Sequence, residues 1–419
     1  MARRPAALRG RKSIFDPVHG TVVLEGAALE LVGTEAFQRL WGIRQTGFAH
    51  LVFPGANHTR LEHSLGTYSV AGRVAERLGL DRSDSDLVRA AALLHDLGHG
   101  PFSHTFDGPM EEVLGHGHEA RSRALIEGRT GDGTVRAILE RAGLAPSDVA
   151  DLVDPPVRKR SRRPTVLREI LHGAIDADRI DYLQRDAHYT GVAHGAIDAA
   201  RLLDTMHAMR GRLVFAEKGR NAVEGFLVGR ALMYSTVYFH KTVRAAEMMA
   251  QAALERLPGY PESARDSFDW TDGDWLYRVR AAGGRSGDLV RGLTSRRLYK
   301  RVPGRRTLLP APRRAWRRYV DRPVERRRLE DEIAERAHAP AGSVLIDLAG
   351  LVPRGDPAGD WGEIGLREDG KATYPFRRPS LWLLLATRPP SDWAVSVYAT
   401  ERARAAVERV VSRDAAFLP

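Results

Sequence analysis

The residues that decide the fold are Ala91-Ala92-Leu93-Leu94-His95-Asp96-Leu97-Gly98-His99. They end an apolar helical pattern that runs over Leu87–Leu97, and the helix breakers of Gly98–Pro101 follow at once. An adjacent histidine and aspartate, with a third imidazole about one turn later, concentrate metal-ligand groups at the end of this helix. The stretch therefore predicts a helix that carries a chemical site at its carboxyl end.

Helical periodicity also dominates the chain on both sides of this stretch. The predicted helices cover Ala27–Gly47, Arg60–Leu80, Glu119–Glu127, Val166–Ile175, Ala177–Asp186 and Val223–Leu254. A short strand-like hairpin precedes them at Ser13–Val23. Strand-like segments and a last helix follow at Ser343–Leu348, Lys371–Phe376, Trp393–Tyr398 and Thr400–Ser412. We expect a mainly α fold with a small α+β C-terminal domain.

Changes in composition and in the helical or strand-like pattern divide the chain into four predicted regions. An N-terminal segment with a hairpin and a helix takes residues 1–50, and the helical core takes residues 51–255. A helical, arginine-rich connecting region follows over residues 256–330, and the α+β domain takes residues 331–419. A second arginine-rich stretch, between Pro155 and Pro164, is typical of an exposed loop.

Composition narrows the function classes. The chain has no cysteine, so any metal must be bound by histidine, aspartate or glutamate. No apolar run is long enough to span a bilayer, and the start of the chain lacks a signal peptide pattern, which predicts a cytoplasmic protein without a membrane partner. The net charge of +11 permits nucleic-acid binding. The charge does not favour nucleic-acid binding, however. Only six of the 64 basic residues are lysines, and coding bias explains this imbalance equally well.

Further metal-ligand residues lie on other predicted elements. His63 lies 32 residues before His95, and Arg60 precedes it by one helical turn on the same face. Downstream come His104, Asp107, His118 and the acidic run Asp176-Ala177-Asp178-Arg179-Ile180-Asp181. Imidazole nitrogens with carboxylate oxygens suit a divalent ion such as Fe, Mn, Zn, Ni or Mg, so we predict a site with two histidines and two aspartates.

The histidines are unevenly distributed. Seven of the 15 fall between His58 and His118. A purely structural core does not favour such a cluster, because each buried imidazole needs a hydrogen-bond partner.

Three long runs of sequence resemble the HD-domain deoxynucleoside triphosphate triphosphohydrolases. They are Phe53–Gly66, Leu94–His104 and Asp176–Tyr182. The resemblance also takes in Asp16–Gly20, Arg185–His188 and Val237–Lys241, and covers roughly residues 13–250. It implies an HD-domain helical bundle as the core and a metal-dependent phosphohydrolase as the activity.

The resemblance also implies roles for individual residues. The metal ligands would be His63, His95, Asp96 and Asp178. Residues that handle protons, bind a second metal or lie near the scissile bond would be His99, His104, Asp107 and His118. The triphosphate-binding cations would be Arg60, Arg179, Arg230 and Lys241, with the aromatic residues Tyr182 and Tyr238 beside them, and the sugar-binding residues would be Gln45 and Asp186. Tyr234 joins the substrate-binding group because Arg230, Tyr234 and Tyr238 are spaced four residues apart, on one helical stripe.

The chain departs from the vertebrate-type members of this family at two positions. Those enzymes recognise an activating guanine nucleotide with an acidic and a basic residue where this chain has Gly33 and Trp41. Glycine has no side chain that can accept from a guanine edge, and an indole cannot hold a phosphate. We therefore expect no activation by guanine nucleotide at that site.

The leading functional hypothesis is hydrolysis of a (deoxy)nucleoside triphosphate to nucleoside and inorganic triphosphate, by a homo-oligomer, either a dimer or a tetramer. Two alternatives stay open at this point. One is hydrolysis of a nucleoside monophosphate or a modified biosynthetic nucleotide, since the metal chemistry does not depend on the group beyond the attacked phosphorus. The other is a non-catalytic nucleotide sensor or nucleic-acid-binding protein on the same scaffold.

Overall fold

The computed structural model describes residues 10–156, 165–303, 319, 322–348, 363–377 and 395–413. Three predicted features therefore lie wholly or partly outside the described residues. They are the loop between Pro155 and Pro164, most of the segment Arg301–Arg328, and the start of the strand predicted over Trp393–Tyr398.

Helices make up most of the described chain. The α-helices are α1 (Ala27–Val32), α2 (Glu35–Gln38), α3 (Arg60–Leu78), α4 (Arg82–Leu94), α5 (Asp107–Leu114), α6 (His118–Ile126), α7 (Thr134–Arg141), α8 (Pro146–Val153), α9 (Thr165–His172), α10 (Ala177–Thr190), α11 (Ala199–Thr205), α12 (Arg220–Met233), α13 (Lys241–Glu255), α14 (Asp272–Ala281), α15 (Gly284–Thr294), α16 (Pro323–Arg336) and α17 (Arg404–Arg413). The strands are β1 (Arg11–Asp16), β2 (Gly20–Glu25), β3 (Met206–Met209), β4 (Arg212–Ala216), β5 (Lys300–Arg301), β6 (Val344–Asp347), β7 (Gly365–Glu368), β8 (Lys371–Thr373) and β9 (Ser396–Ala399). The predicted mainly α fold with a small α+β part is confirmed.

Capping residues mark the ends of the central helices. At the start of α3 the Glu62 carboxylate accepts the backbone N–H of Thr59 at 2.6 Å, and at its end Gly79 has a positive φ of 66°. The Asp81 side chain accepts the N–H of Asp84 at 2.8 Å and so caps α4. Helix α3 packs against both α4 and α10. The buried face of α4, which includes Leu87, Val88, Ala91 and Leu94, places its carboxyl end in the middle of this packing.

Three small sheets accompany the helices in the described residues. Strands β1 and β2 form an antiparallel hairpin in which Arg11 pairs with Glu25. Strand β4 pairs antiparallel with β3 and in parallel with β7, whose far side carries β8. Strand β9 lies between β5 and β6. Two of the sheets thus combine strands from both sides of the boundary predicted at residue 331, and the four-region division stays a prediction.

Two predicted helices are interrupted. The first, over Ala27–Gly47, splits after α1 at Gly33, where Thr34 starts α2 by accepting the N–H of Phe37 at 3.3 Å. The second, over Val223–Leu254, splits into α12 and α13 around a turn of π-helix at Tyr234–Tyr238. There the N–H of Phe239 bonds the carbonyl of Tyr234 at 2.9 Å, a spacing of five residues that inserts one residue into the helical ladder.

Candidate metal centre and active site

Three helix ends meet at the candidate site. His63 lies in the first turn of α3, His95 follows the last residue of α4, and Asp178 lies in the first turn of α10. The Asp176 side chain caps α10 by accepting the N–H of Arg179 at 2.8 Å, which fixes the turn that carries Asp178. The packing of α3 against α4 and α10 therefore brings these side chains together.

Three of the four predicted metal ligands, His63, His95 and Asp178, offer donor atoms within 4.8 Å of one another, and Asp96 lies beside the two histidines. His63 Nε2 lies 3.0 Å from Asp178 Oδ1, 3.2 Å from His95 Nε2 and 3.6 Å from Asp96 Oδ2. His95 Nε2 lies 3.3 Å from Asp96 Oδ1 and 3.9 Å from Asp178 Oδ1. Ligands that share one ion through bonds of about 2.1 Å lie about 3 Å apart when those bonds meet at right angles. The spacing of the donors therefore fits a single divalent ion.

In both histidine ligands, a hydrogen bond to a group outside the metal site holds the second ring nitrogen. His63 Nδ1 donates to Asp181 Oδ2 at 2.6 Å, and His95 Nδ1 donates to the carbonyl of Ala92 at 2.8 Å. Carboxylate and carbonyl oxygens only accept, so in both rings Nδ1 carries the hydrogen. Nε2 of each ring is therefore the atom that faces the convergence point and would bind a metal in exchange for its proton, which is the usual arrangement of metal-binding histidines.

Asp181 is the centre of a buried ionic network behind His63. Its Oδ1 lies 2.5 Å from His19 Nε2 and accepts Arg185 Nη2 at 2.9 Å. Arg185 Nη1 in turn donates to Asp16 at 2.8 Å. A carboxylate that is held from three sides orients the imidazole it contacts and raises its basicity as a ligand.

The ionisation of the cluster also favours a cation. Burial disfavours the charged form of His63, but hydrogen bonds to Asp178 and Asp181 outweigh it and raise the pKa of His63 to about 10. Burial likewise opposes ionisation of Asp178, yet the hydrogen bond and charge of His63 lower the pKa of Asp178 to about 2. The site therefore holds a positive charge tightly, and a divalent ion in contact with all four ligands satisfies it more fully than one proton does.

Histidines and an aspartate form a second group beside the first. His99, His104, Asp107 and His118 offer ligand atoms within 4.8 Å of one another. His104 Nδ1 donates to Asp107 Oδ2 at 2.9 Å, and the rings of His99 and His118 stack with centroids 3.7 Å apart. His99 Nε2 lies 3.3 Å from Asp96 Oδ1, so Asp96 adjoins both groups.

The two stacked histidines have opposite protonation tendencies. Burial, together with the charges of Arg60 and His118, holds the pKa of His99 well below its usual range. Burial also opposes the charge on His118, but Asp107 outweighs it and raises the pKa of His118. The two stacked imidazoles thus differ in how readily they hold a proton, which is a suitable arrangement for moving one.

Arg60 joins the metal group to the loop that follows α4. Its Nη1 donates to Asp96 Oδ2 at 2.5 Å, and its Nε donates to Ser103 Oγ at 2.7 Å. Only 2% of Arg60 is exposed, and its Nη2 has no hydrogen-bond partner among the described residues. A buried guanidinium with a free donor is suited to an anionic oxygen.

Five of the predicted substrate-binding residues contact one another. Arg230 Nε donates to the Tyr182 hydroxyl at 3.3 Å, and its guanidinium lies 5.4 Å from the centre of the Tyr234 ring. The rings of Tyr234 and Tyr238 meet edge to face at 5.0 Å, and the Tyr238 hydroxyl donates to Asp186. The π-helical turn keeps these aromatic residues together although the predicted continuous helix is wrong.

The other three substrate-binding predictions have different surroundings. Gln45 is buried, and its Oε1 has no hydrogen-bond partner in the part of the chain that the structure describes. Arg179 is paired with Asp176 and with the carbonyl of Gly173. Lys241 is exposed at the start of α13. It lines a cavity of about 350 Å³ together with Lys300, Arg301 and Arg404.

Family models match most of the chain. The model of the HD domain matches residues 60–186, and that of the HD-associated region matches residues 197–415. The chain belongs to the HD-domain family. Residues 60–186 of this HD protein include all four predicted metal ligands, and the family resemblance recognised from the sequence motifs is confirmed.

Several curated proteins are similar to this HD protein. YwfO of Bacillus subtilis is 40% identical over 263 residues, which are 61% of this chain and 58% of YwfO. The deoxynucleoside triphosphate triphosphohydrolase SAMHD1 of Homo sapiens is 31% identical over 285 residues, which are 60% of this chain and 45% of SAMHD1. The matches thus cover about half of each of these relatives.

Solved structures share the fold over nearly the whole chain. A protein from Aquifex aeolicus superposes with a TM-score of 0.73 and 26% identity, covering 96% of this chain and 100% of that one. A phosphohydrolase from Bacteroides thetaiotaomicron superposes with a TM-score of 0.70 and 25% identity, covering 94% of this chain and 100% of that one.

The comparisons place the chain in the HD-domain family, and one of the similar solved structures is that of a protein named a phosphohydrolase. The histidine and aspartate groups of this chain are able to bind a metal. None of the described helices has both the length and the apolar character needed to cross a membrane.

Sequence analysis assigned no site role to several residues that the structure brings to the site. These are His19, Asp181 and Arg185 behind His63, and His58, whose Nε2 lies 2.8 Å from Asp186. One signal was present for two of them. Asp178, Asp181 and Arg185 are spaced three and four residues apart and so share one face of α10.

Proposed function

We propose that this HD phosphohydrolase hydrolyses (deoxy)nucleoside triphosphates to nucleoside and inorganic triphosphate. The observation that carries the proposal is the grouping of His63, His95 and Asp178, with Asp96 beside the histidines, next to a second histidine group and the buried guanidinium of Arg60. The similarity to a named deoxynucleoside triphosphate triphosphohydrolase supports the choice of substrate.

The four ligands would hold one divalent ion of Fe, Mn, Zn, Ni or Mg, which lowers the pKa of a bound water and polarises a phosphate oxygen. Arg60 would donate through its free Nη2 to a phosphate oxygen. Arg230 would add a second cation next to Tyr182 and Tyr234. These contacts orient the phosphate chain toward the metal group.

The second histidine group would handle protons. His99, whose pKa is held low, would act as a neutral hydrogen-bonding group through its Nδ1, which has no hydrogen-bond partner among the residues described. His118, whose pKa is raised beside Asp107, can supply a proton to the leaving oxygen. His104 shares Asp107 and so takes part in the same exchange.

Sugar recognition would fall to the group around Asp186. The Asp186 carboxylate accepts from Tyr238 and lies beside His58, and a carboxylate retains further lone pairs for a sugar hydroxyl. The unpaired Oε1 of Gln45 lies on a residue whose backbone N–H bonds the carbonyl of His58 at 3.0 Å. An amide at that place can pair with the same sugar.

One observation favours the monophosphate alternative. Of the four cations predicted to bind the triphosphate, Arg179 is paired with Asp176, and Lys241 lines the cavity with Arg404. If Arg179 stays paired and Lys241 stays in that cavity, fewer cations reach the phosphate chain than the triphosphate prediction assumes.

The deciding experiment is a product analysis. The metal-reconstituted protein is incubated with nucleoside mono-, di- and triphosphates, and inorganic triphosphate, pyrophosphate and phosphate are resolved, with Asp96→Ala as the control for contaminating enzymes. Equal amounts of nucleoside and triphosphate from a triphosphate substrate support the proposal. Phosphate from monophosphates alone would replace it with the alternative, and no product from any nucleotide would favour the non-catalytic sensor.

A further inference from the structure

Asp272 lies at the first position of α14, far in sequence from the HD motifs, yet it contacts the loop that follows α4. It is 2% exposed. Its Oδ1 accepts the backbone N–H of Phe102 at 2.7 Å, and its Oδ2 accepts the backbone N–H of Arg44 at 3.1 Å. The guanidinium of Arg44 approaches the same Oδ2 at 3.4 Å.

The loop that Asp272 holds has an unfavourable backbone conformation. Phe102 has a φ of 54° and Ser103 a φ of 53°, and neither residue is a glycine. Side-chain-bearing residues adopt this left-handed region only where surrounding contacts impose it, and such residues cluster at functional sites. The bond from Phe102 to Asp272 is one such contact, and the packing of the Phe102 ring on Phe48, with centroids 4.3 Å apart, is another.

A continuous set of hydrogen bonds runs from this loop to the metal group. Ser103 Oγ donates to the carbonyl of Arg44 at 2.7 Å and accepts from Arg60 Nε at 2.7 Å. Arg60 then donates to Asp96. Asp272 therefore holds both backbone segments, Arg44 and Phe102–Ser103, that determine where the Ser103 hydroxyl lies.

We propose that Asp272 is a positioning residue that acts through Ser103 to set the guanidinium of Arg60 against Asp96. The inference rests on the proposed function, since Arg60 and Asp96 are the groups that would contact phosphate and metal. It assigns a task in catalysis to a residue of the HD-associated region, outside the HD domain match.

The two oxygens of Asp272 make the role sensitive to a small change. Each oxygen accepts a different backbone N–H, so the task requires two acceptors. An asparagine offers one acceptor and one NH₂ group, which would face a backbone donor. Asp272→Asn keeps the size of the side chain but loses one of the two bonds.

The test compares Asp272→Asn with the matched control Asp274→Ala. Asp274 lies in the same helical turn, is exposed, and its carboxylate accepts from Thr271 in the cap of α14. We expect Asp272→Asn to lower kcat/KM about 10- to 100-fold, because a small misplacement of a phosphate-binding group has effects of this size. We expect Asp274→Ala to lower the thermal midpoint but to leave kcat/KM within about twofold, since a lost helix cap affects stability.

A double-mutant cycle tests the route through Ser103. If Asp272 acts through that hydroxyl, Ser103→Ala and the double variant Ser103→Ala/Asp272→Asn have the same kcat/KM within about twofold. Losses that multiply instead would overturn the route. An unchanged kcat/KM in Asp272→Asn, or a loss matched by the control, would overturn the positioning role itself.

A spectroscopic readout separates this inference from the proposed function. Absorption spectra of the Co²⁺-loaded proteins report the environment of the metal ligands without turnover. If the wild-type protein hydrolyses no nucleotide, the proposed function fails. A spectrum that changes in Asp272→Asn and not in Asp274→Ala still supports the positioning of Asp96, and identical spectra would contradict it.

Discussion

At the scale of single residues, the two ring nitrogens of each predicted histidine ligand have different partners. Nε2 of His63 and of His95 faces the convergence point, while Nδ1 is held by Asp181 in one ring and by the Ala92 carbonyl in the other. The outer bonds select the tautomer, so Nε2 is the atom of each ring that would bind a metal in exchange for its proton.

Loss of a ligand should therefore remove the metal. We expect Asp96→Ala and His95→Ala to abolish turnover and to reduce bound metal to near zero, because each removes charge and geometry from a site of four ligands. Metal content measured by elemental analysis checks this, with the exposed His194→Ala as the control. Full metal content and activity in both variants would disprove the ligand assignment.

The two arginines near the metal group should discriminate between substrates. We expect Arg60→Ala and Arg230→Ala to weaken kcat/KM for triphosphates more than for monophosphates. Each should cost on the order of 1.5–3 kcal/mol in contacts to phosphate oxygens that a monophosphate lacks. Steady-state kinetics on both substrates decide the matter, and equal losses would favour the monophosphate alternative.

Asp272 should also make stability depend on pH. Burial raises the pKa of Asp272 to about 6, although the N–H of Phe102 and Arg44 oppose the shift. A carboxyl whose pKa is higher in the folded state than in the unfolded state stabilises the protein at low pH, and this contribution is lost as the pH rises through about 6. The ionised carboxylate thus costs stability at neutral pH, as expected of a residue retained for a task other than stability.

Chemical unfolding of wild type and Asp272→Asn at two pH values measures this effect. Relative to the variant, the wild type should gain about 1–2 kcal/mol between pH 7.5 and pH 5, since each pKa unit corresponds to about 1.4 kcal/mol. Groups common to both proteins cancel in the difference. A difference that does not vary with pH would contradict the raised pKa.

At the scale of elements, α3 must approach the ionic network of α10 closely, and Gly66 permits this. A Cβ at Gly66 would lie 1.8 Å from Asp181 Oδ1 and 2.4 Å from Arg185 Nη2. A methyl group cannot fit there unless the buried pair moves, and the pair holds His63 from behind. The glycine belongs to the site although it contacts no ligand.

We expect Gly66→Ala to weaken metal affinity about 10- to 100-fold, the usual cost of disturbing the groups that orient metal ligands. Gly72→Ala on the same helix is the control, because its nearest neighbour is Arg89 Nε at 3.3 Å, on a side chain that is able to move. Metal titration of both variants checks the prediction. Equal affinities would show that Asp181 and Arg185 can shift without consequence.

At the scale of the whole molecule, the HD-associated region takes part in the architecture of the HD domain. Gln251 of α13 donates to the carbonyl of Thr105 at 2.5 Å, and the Tyr238 hydroxyl donates to Asp186 of α10, so residues of the HD-associated region bond to residues of the HD domain. The Asp272 contact continues this pattern into the site. The predicted dimer or tetramer and the cytoplasmic location stay predictions.

Regulation also belongs to this scale. Trp41 is 55% exposed and Gly33 has no side chain, so the contacts that would bind an activating guanine nucleotide in vertebrate-type relatives are missing. Without differential binding free energy a ligand cannot shift a conformational equilibrium. We expect hydrolysis without added GTP or dGTP and with little sigmoidicity.

Initial rates with and without these nucleotides, paired with sedimentation, check the expectation. A strict requirement for guanine nucleotide, accompanied by assembly into a larger oligomer, would contradict it. In that case Arg39, Arg44 or the segment Arg301–Arg328 would be the place to look for a different effector site.

The sequence by itself determined the helical class, the starts of α3 at Arg60 and of α10 at Ala177, and the residue types of the metal group. These features depend on residues within a turn or two of one another, so periodicity and caps reveal them. The π-helical turn at Tyr234–Tyr238 escaped prediction, because inserting one residue into a helix leaves the apolar pattern almost unchanged.

Only the tertiary structure decided which distant groups meet. The Phe102–Asp272 bond joins residues 170 positions apart, and the cavity lined by Lys241 also takes Lys300 and Arg404 from distant parts of the chain. Strand β4 pairs with β3 on one side and with the distant strand β7 on the other, and these pairings define the two strands. Such contacts depend on how whole elements pack and on loops whose closure costs entropy, and no local pattern in the chain records either.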